Sequence, residues 1–278
     1  MAAAGRRRAA RVWPLAAPGV ALVSLVSLPF VWLSLLSFVA DGSLSLANYA
    51  RMVENPSYQT IVLKTLQLSA VVTIVVIAVG YPTAYFIHTR SRITATVLLA
   101  CVAIPFWTSL LVRTYAWMVI LQRNGIVNGW LQDIGLIERP LRLSNSFLGT
   151  SIGMIHIMLP FFIFPLYSAM KQIDMDLVRA ARSLGASRTK AFWQVFVPLS
   201  GPGLFAGSLL TFVLCLGFYV TPQLLGGGNV TVISMKIQEN ITNYSDWGAA
   251  SALGVVLLVV VAGLLLGVKK LGARLEAQ

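Results

Sequence analysis

The strongest constraint on the fold of this chain is a series of long apolar segments that carry almost no charge. Five such segments have 18 or more residues, and a sixth, at 203–222, contains no charged residue at all. A helix needs about 20 apolar residues to cross the hydrocarbon core of a bilayer. The pattern predicts six transmembrane helices, at about 18–40, 61–87, 94–121, 147–170, 203–222 and 248–268.

The composition favours a membrane domain over a soluble one. Of the 278 residues, 57% are hydrophobic and 11% are charged. Soluble domains have about 45–50% apolar and about 25% charged residues. We therefore predict an all-α, polytopic membrane protein in which residues 1–278 form a single transmembrane domain.

The net charge of +12 lies on one side of this predicted topology. With the N-terminus in the cytoplasm, the cytoplasmic segments hold 14 of the 21 Lys and Arg residues, and the rest of the chain is close to neutral. The positive-inside rule predicts such an asymmetry. We interpret the charge as a topological signal and not as a nucleic-acid-binding surface, with both termini in the cytoplasm.

The sequence contains no motif for catalysis, metal binding or phosphate binding. It lacks a Walker-type glycine loop, so we do not expect this chain to hydrolyse ATP by itself. None of the six predicted spans contains Asp or Glu, whereas ion-coupled pumps usually rely on buried carboxylates. The two cysteines, Cys101 and Cys215, lie in separate apolar segments and are expected to be packing residues.

A basic stretch at 171–202 separates the fourth and fifth predicted spans. Asp174 suits the N-terminal cap of a first helix, and Gly185 suits its C-terminal end. Ser187 is a suitable cap for a second helix, which Pro198 is expected to end. The apolar residues at i, i+3, i+4 and i+7 on the first helix are Leu177, Ala180, Ala181 and Leu184. The stretch is therefore predicted to form two helices joined at a glycine corner, which we call the elbow.

The elbow is longer than a simple chain reversal requires. Helix–helix connections usually take about 2–8 residues. A helical projection with small residues at its tip is suited to dock into a cytoplasmic partner protein. The alternative is an amphipathic helix whose arginines rest on anionic lipid.

The elbow resembles the cytoplasmic loop of binding-protein-dependent ABC transporter permeases. The family pattern begins with E-A-A, has a glycine after three further residues and closes on a proline, and it corresponds here to Arg179-Ala180-Ala181, Gly185 and Phe196-Val197-Pro198. Arg179 stands where the family has Glu. The resemblance implies that the first helix is a coupling helix seated in a cleft of an ATPase subunit. The docking residues it implies are Arg179, Ala180, Ala181, Leu184, Gly185, Ala186 and Ser187.

Two further stretches, 104–128 and 216–228, are similar to the permeases of the spermidine/putrescine group. The resemblance implies a type I (MetI-like) importer bundle in which this chain forms half of the translocation path. It implies a polyamine as cargo, with an opine-, phosphonate- or iron-type solute as the alternative.

The resemblance also implies a set of partners in the bacterial inner membrane. These are a second permease subunit that completes a heterodimer, two ATP-binding subunits that use ATP and Mg, and a periplasmic or lipid-anchored solute-binding protein. The chain itself is expected to bind lipid but no cofactor and no metal.

Five residues are candidates for the substrate path: Trp107, Arg113, Tyr115, Tyr219 and Gln223. Trp107 could stack on an ammonium group or pack at a helix interface. Arg113 could face the path or an outer aromatic belt, and its charge counts against a cationic cargo. Tyr219 and Gln223 could form a gate or simply end a helix.

Two other function classes fit the sequence less well. A self-sufficient secondary transporter should show buried ionisable pairs or inverted repeats, and neither is evident. A non-transporting scaffold would not require the elbow or the prolines inside the predicted spans. His156, within the fourth span, is expected to form an interhelical hydrogen bond rather than to relay protons.

Overall fold

The computed structural model describes residues 2–40 and 42–276, and the side chains of 18–40 and 42–267. The terminal basic residues used in the charge analysis, Arg6–Arg8, Arg11, Lys269, Lys270 and Arg274, have side chains outside the described residues. Within the described part, the regular secondary structure is helical apart from one two-stranded hairpin, in which Val39 pairs with Leu44 and Ala40 with Ser43. The all-α prediction is confirmed.

Most of the helices follow one another closely along the chain, with longer connections before α2, α7 and α13. Before the elbow they are α1 (Ala2–Leu36), α2 (Ala47–Glu54), α3 (Pro56–His88), α4 (Arg92–Trp107), α5 (Leu110–Leu121), α6 (Ile126–Asp133) and α7 (Phe147–Met170). The elbow contains α8 (Met175–Ser183), α9 (Arg188–Ala191), a π-helix (Phe192–Phe196) and α10 (Val197–Leu199). The remaining helices are α11 (Gly201–Leu216), α12 (Val220–Leu225), α13 (Ile233–Thr242) and α14 (Trp247–Glu276).

Four of the described helices are long and apolar enough to cross a membrane, and two bent helix pairs raise the number to six. The four are Pro18–Leu36, Pro56–His88, Phe147–Met170 and Trp247–Gly267. The fifth and sixth candidates are pairs, Arg92–Trp107 with Leu110–Asp133 and Arg188–Leu199 with Gly201–Leu216, bent by 96° and 60°. The predicted number of spans therefore holds only if each bent pair is one span.

The third predicted span, 94–121, is not one straight helix. Thr108 and Ser109 adopt extended backbone angles, with ψ of 141° and 134°, and separate α4 from α5. Pro105 lies one turn earlier and has no backbone N–H for the helical ladder. The Thr108 amide and hydroxyl both donate to the Pro105 carbonyl, at 3.2 and 2.9 Å, so these three groups are satisfied at the break.

The fifth predicted span, 203–222, also differs from a single helix. It begins at Gly201, ends at Leu216 and is followed by the separate short helix α12. Gly217 follows the last helical residue, and Pro222 within α12 has no N–H to extend a helical ladder back across this gap.

The described residues divide into two compact units, one of residues 1–59 and 236–278 and one of residues 60–235. In the first unit, the buried Asn48 side chain donates to the carbonyls of Ser37 and Val39, at 3.2 and 2.9 Å. Arg51 forms an ion pair of 3.1 Å with Asp246. These contacts tie the hairpin, α2 and the start of α14 together within that unit.

The core of the second unit is built around α7. Its side chains at every fourth position are almost fully buried, namely Met154, Met158, Phe162, Leu166 and Met170. Gly80 of α3 and Gly203 and Gly207 of α11 face α7, where small residues allow backbones to approach closely. A Cβ atom at Gly207 would lie 2.9 Å from the Phe162 carbonyl oxygen. This packing fixes α7, whose two ends carry the sites described below.

Candidate functional site

Both helices of the elbow have the predicted N-terminal caps. An Asp174 carboxylate oxygen accepts a hydrogen bond from the Asp176 amide at 2.9 Å, and Ser187 Oγ accepts one from the Lys190 amide at 3.2 Å. Gly185 has a φ of +94°, in the left-handed region that favours glycine. The Gly185 amide donates to the Arg182 carbonyl at 3.0 Å. The predicted geometry of two helices around a glycine corner is confirmed.

Arg179 is engaged within its own helix. Its Nε donates to Asp176 Oδ1 at 2.7 Å, and its terminal nitrogen also pairs with that carboxylate. The pair is solvent-exposed, so it adds only about 0–1 kcal/mol to stability. Its local effect is to offset the positive charge of Arg179.

The prediction that the second helix ends at Pro198 is wrong. The chain passes through the π-helix, in which the Val197 amide donates to the Phe192 carbonyl, and stays helical through Pro198 to Leu199. In a π-helix each amide bonds to the carbonyl five residues earlier instead of four, so the carbonyl that Pro198 leaves without a donor is a different one. π-turns of this kind often occur at functional sites. The helix ends at Ser200, whose hydroxyl donates to the Val197 carbonyl at 2.8 Å.

The tip of the elbow exposes apolar side chains. Leu184 is 89% exposed and Leu177 is 50% exposed. None of the nine residues of α8, all of them described, is buried. On its inner side, Val178 packs against the core cluster of the second unit. Of the implied docking residues, Ala181 and Ala186 are half-buried and the other five are exposed.

An aromatic cluster joins the second half of the elbow to α3. The Tyr85 ring lies 4.9 Å from that of Phe192 and 5.1 Å from that of Phe196. His88 packs on Phe196 at 5.5 Å, and the Tyr81 hydroxyl lies 2.9 Å from Ser200 Oγ. Sequence reasoning did not identify the α3 members of this cluster. Their signal was a matching i, i+4 aromatic spacing, at 81 and 85 on α3 and at 192 and 196 on the elbow.

The candidate path residues fall on α4, α5 and the segment around α12. Trp107 is 83% exposed and Tyr115 is 50% exposed, whereas Arg113 and Tyr219 are half-buried and Gln223 is exposed. No hydrogen bond or ring contact joins any two of the five within the described part of the chain. Their helices do meet, because the buried hydroxyls of Thr114 and Thr221 lie 3.4 Å apart.

Arg113 has an unsatisfied donor. Its Nε is buried and has no hydrogen-bond partner among the described residues. A buried guanidinium N–H without a partner is costly, so an unsatisfied one calls for an explanation.

The predicted interhelical hydrogen bond of His156 is present. Trp117 Nε1 on α5 donates to His156 Nδ1 on α7 at 3.2 Å, and the two rings lie 5.7 Å apart at 64°. The bond occupies the acceptor nitrogen of a neutral imidazole, as expected for a structural contact between two helices.

Residues 80–276 match the family model described as binding-protein-dependent transport system inner membrane component. The matched range contains the elbow, α7 and every candidate path residue.

Curated relatives match over most of the chain. The spermidine/putrescine transport system permease protein PotB of Haemophilus influenzae is 35% identical, over 87% of this chain and 86% of the relative. The protein of the same name from Escherichia coli K12 is 33% identical, over 88% of this chain and 91% of the relative.

Among solved structures, a bacterial ABC transporter involved in the import of the acidic polysaccharide alginate contains a similar chain. The TM-score is 0.77 at 18% identity, covering 96% of this chain and 98% of the other. At this identity the similarity establishes the fold alone.

Proposed function

The chain belongs to the family of binding-protein-dependent transport system inner membrane components, and from this premise we propose that it forms half of the translocation path of an ATP-driven polyamine importer. As a permease subunit it is not an enzyme, and its family carries no cofactor of its own. The proposed partners are a second permease, two ATPase subunits that use ATP and Mg, and a solute-binding protein outside the membrane. Both termini are proposed to face the cytoplasm.

The elbow is proposed as the site where an ATPase subunit docks. The observation that carries this role is the exposed apolar tip, with Leu177 and Leu184 turned away from the core on a helix held by a cap and a glycine corner. Burying those side chains in a cleft would contribute about 25 cal/mol per Å² of apolar surface. Arg179, Arg182 and Arg188 of the elbow are exposed as well.

Movement of the docked elbow is proposed to reach the membrane helices through the aromatic cluster. Phe192 and Phe196 pack against α3, and Ser200 at the end of α10 lies against Tyr81 of the same helix. Coupling between two states needs a rigid element with two docked positions. The closely packed rings would let α9, the π-helix and α3 move as one body.

A polyamine is the proposed cargo because both PotB relatives carry that name. Arg113 is the specific observation that favours the alternative, an anionic or zwitterionic solute of the opine or phosphonate type, because its unsatisfied Nε–H would donate a hydrogen bond to an anionic group. Because the predicted spans of this chain contain no Asp or Glu, a polyamine cargo should find its acidic partners on the second permease or the binding protein.

The test is ATP-dependent uptake of radiolabelled spermidine into proteoliposomes that contain the assembled transporter. Leu184→Asp should abolish both uptake and recovery of the ATPase in the purified complex, because it places a charge in the docking cleft. Leu44→Asp is the matched control, since Leu44 is 85% exposed and lies in the hairpin outside the elbow. Recovery of the ATPase should be normal in this control. Normal uptake by the Leu184 variant would contradict the docking role, and uptake of a phosphonate but not spermidine would contradict the cargo.

A further inference from the structure

A pocket of about 350 Å³, lined mostly by polar and charged residues, lies at the end of α7 opposite the elbow. α7 has 24 residues, so about 36 Å separates its ends. The pocket is formed by the segments that follow α5, precede α7 and follow α12. Its polar lining includes Gln122, Arg123, Arg142, Ser144, Asn145 and Asn229.

The pocket is held in shape by hydrogen bonds and a close contact among these segments. The Asn229 side chain donates to the Asn145 carbonyl at 2.9 Å, and the Ser144 amide donates to the Leu121 carbonyl at 3.0 Å. Gly227 has a φ of +52°, and any Cβ there would overlap the Asn145 side chain. The glycine thus lets the loop after α12 close against the segment before α7.

The pocket contains two arginines that form no ion pair within the described part of the chain. Arg123 and Arg142 both line it and are exposed, and neither forms an ion pair or a hydrogen bond with any described residue. No Asp or Glu is among the lining residues, and Lys64 Nζ lies 3.4 Å from the Asn229 carbonyl at the same site. Guanidinium groups bind carboxylates through two parallel hydrogen bonds. The site is therefore suited to a carboxylate.

We propose that this two-arginine pocket receives an acidic side chain of the solute-binding protein when that protein docks on the outer face. The inference rests on the proposed function, which supplies a partner on that face and a cationic cargo. A polyamine would be repelled by two free guanidinium groups, so the pocket is a docking point and not part of the cargo path. An anionic lipid is the competing occupant, but Leu143, the apolar residue of the lining, is buried and offers no surface for an acyl chain.

The experiment measures the affinity of the purified solute-binding protein for the full transporter in nanodiscs, at low and high salt. Arg123→Glu and Arg142→Glu should each raise the Kd at least about tenfold, or about 1.4 kcal/mol. Arg139→Glu is the matched control, because Arg139 is an exposed arginine in the loop before α7 that does not line the pocket, and it should bind within about twofold of wild type. Recovery of the ATPase should be unchanged in all three variants, which shows that each one folds and assembles.

Wild-type affinity in both pocket variants would overturn the proposal. The same holds if their affinity is unchanged while mass spectrometry shows less co-purified anionic lipid, since the pocket would then hold a headgroup. Loss of affinity in all three variants would also overturn it, because the net charge of the outer face and not the pocket would then determine binding. A wild-type transporter that binds no solute-binding protein at all would overturn the proposed function together with this inference, whereas the other outcomes leave the proposed function intact.

Discussion

The corner of the elbow depends on one backbone angle, and Gly185→Ala tests it. Gly185 has a φ of +94°, and a Cβ added there would meet nothing within 4 Å. The substitution therefore creates no clash, and its cost comes from the backbone alone. A residue with a Cβ in the left-handed region costs about 1–2 kcal/mol.

This cost sets the expected loss of docking. A penalty of about 1–2 kcal/mol lowers the fraction of molecules in the affected conformation by about 5–30-fold. If the ATPase recognises the cornered elbow, its Kd for the Gly185→Ala transporter should rise by the same factor. We would measure it by titrating purified ATPase onto nanodiscs that contain the two permeases.

Two matched variants separate the backbone effect from other causes. Gly185→Asn should bind better than Gly185→Ala, since asparagine enters the left-handed region at a lower cost. Gly217→Ala adds the same methyl group at a glycine with a φ of −94° and open space around it, so it should bind as wild type. Wild-type affinity for Gly185→Ala would refute the reasoning, because the corner would then not be part of what the ATPase recognises.

Three further predictions concern packing in the second unit, each measured as a thermal-unfolding midpoint in detergent. Gly207→Ala should push α11 away from α7 and lower the midpoint, whereas Gly201→Ala, with nothing within 4 Å of its Cβ, should be tolerated. Phe196→Ala empties an almost fully buried site and should cost about 3–5 kcal/mol, against less than about 1 kcal/mol for Trp193→Ala at a 63% exposed ring. Trp117→Phe removes the hydrogen bond between α5 and α7 and should cost about 0.5–1.5 kcal/mol. Equal midpoints within either matched pair, or no change for Trp117→Phe, would contradict these packing arguments.

Local sequence signals were sufficient for the four unbroken candidate spans and for the corner of the elbow. Length and hydropathy alone define a membrane-spanning segment, so the apolar runs marked the right parts of the chain. The caps at Asp174 and Ser187 and the turn at Gly185 also depend on neighbouring residues only. These features were therefore predictable from a single sequence.

Features that depend on the path of the backbone or on distant residues were not predictable in this way. The bend after α4 occurs at Thr108 and Ser109, inside the third predicted span. Hydropathy does not report backbone angles, so the apolar pattern could not show this bend. The contact of Tyr85 with Phe192 joins residues more than a hundred positions apart. The two-arginine pocket likewise forms only when three separate segments meet. The roles of the five path residues stay predictions.

The most direct test of the central claim is purification of the tagged chain from its native membrane in mild detergent, with identification of the proteins that accompany it. The account predicts a second permease and an ATPase, with the ATPase lost and the second permease retained when residues 174–190 are replaced by a flexible linker. A chain that is recovered alone or only with copies of itself would contradict the account. Recovery of the ATPase after replacement of the elbow would also contradict it.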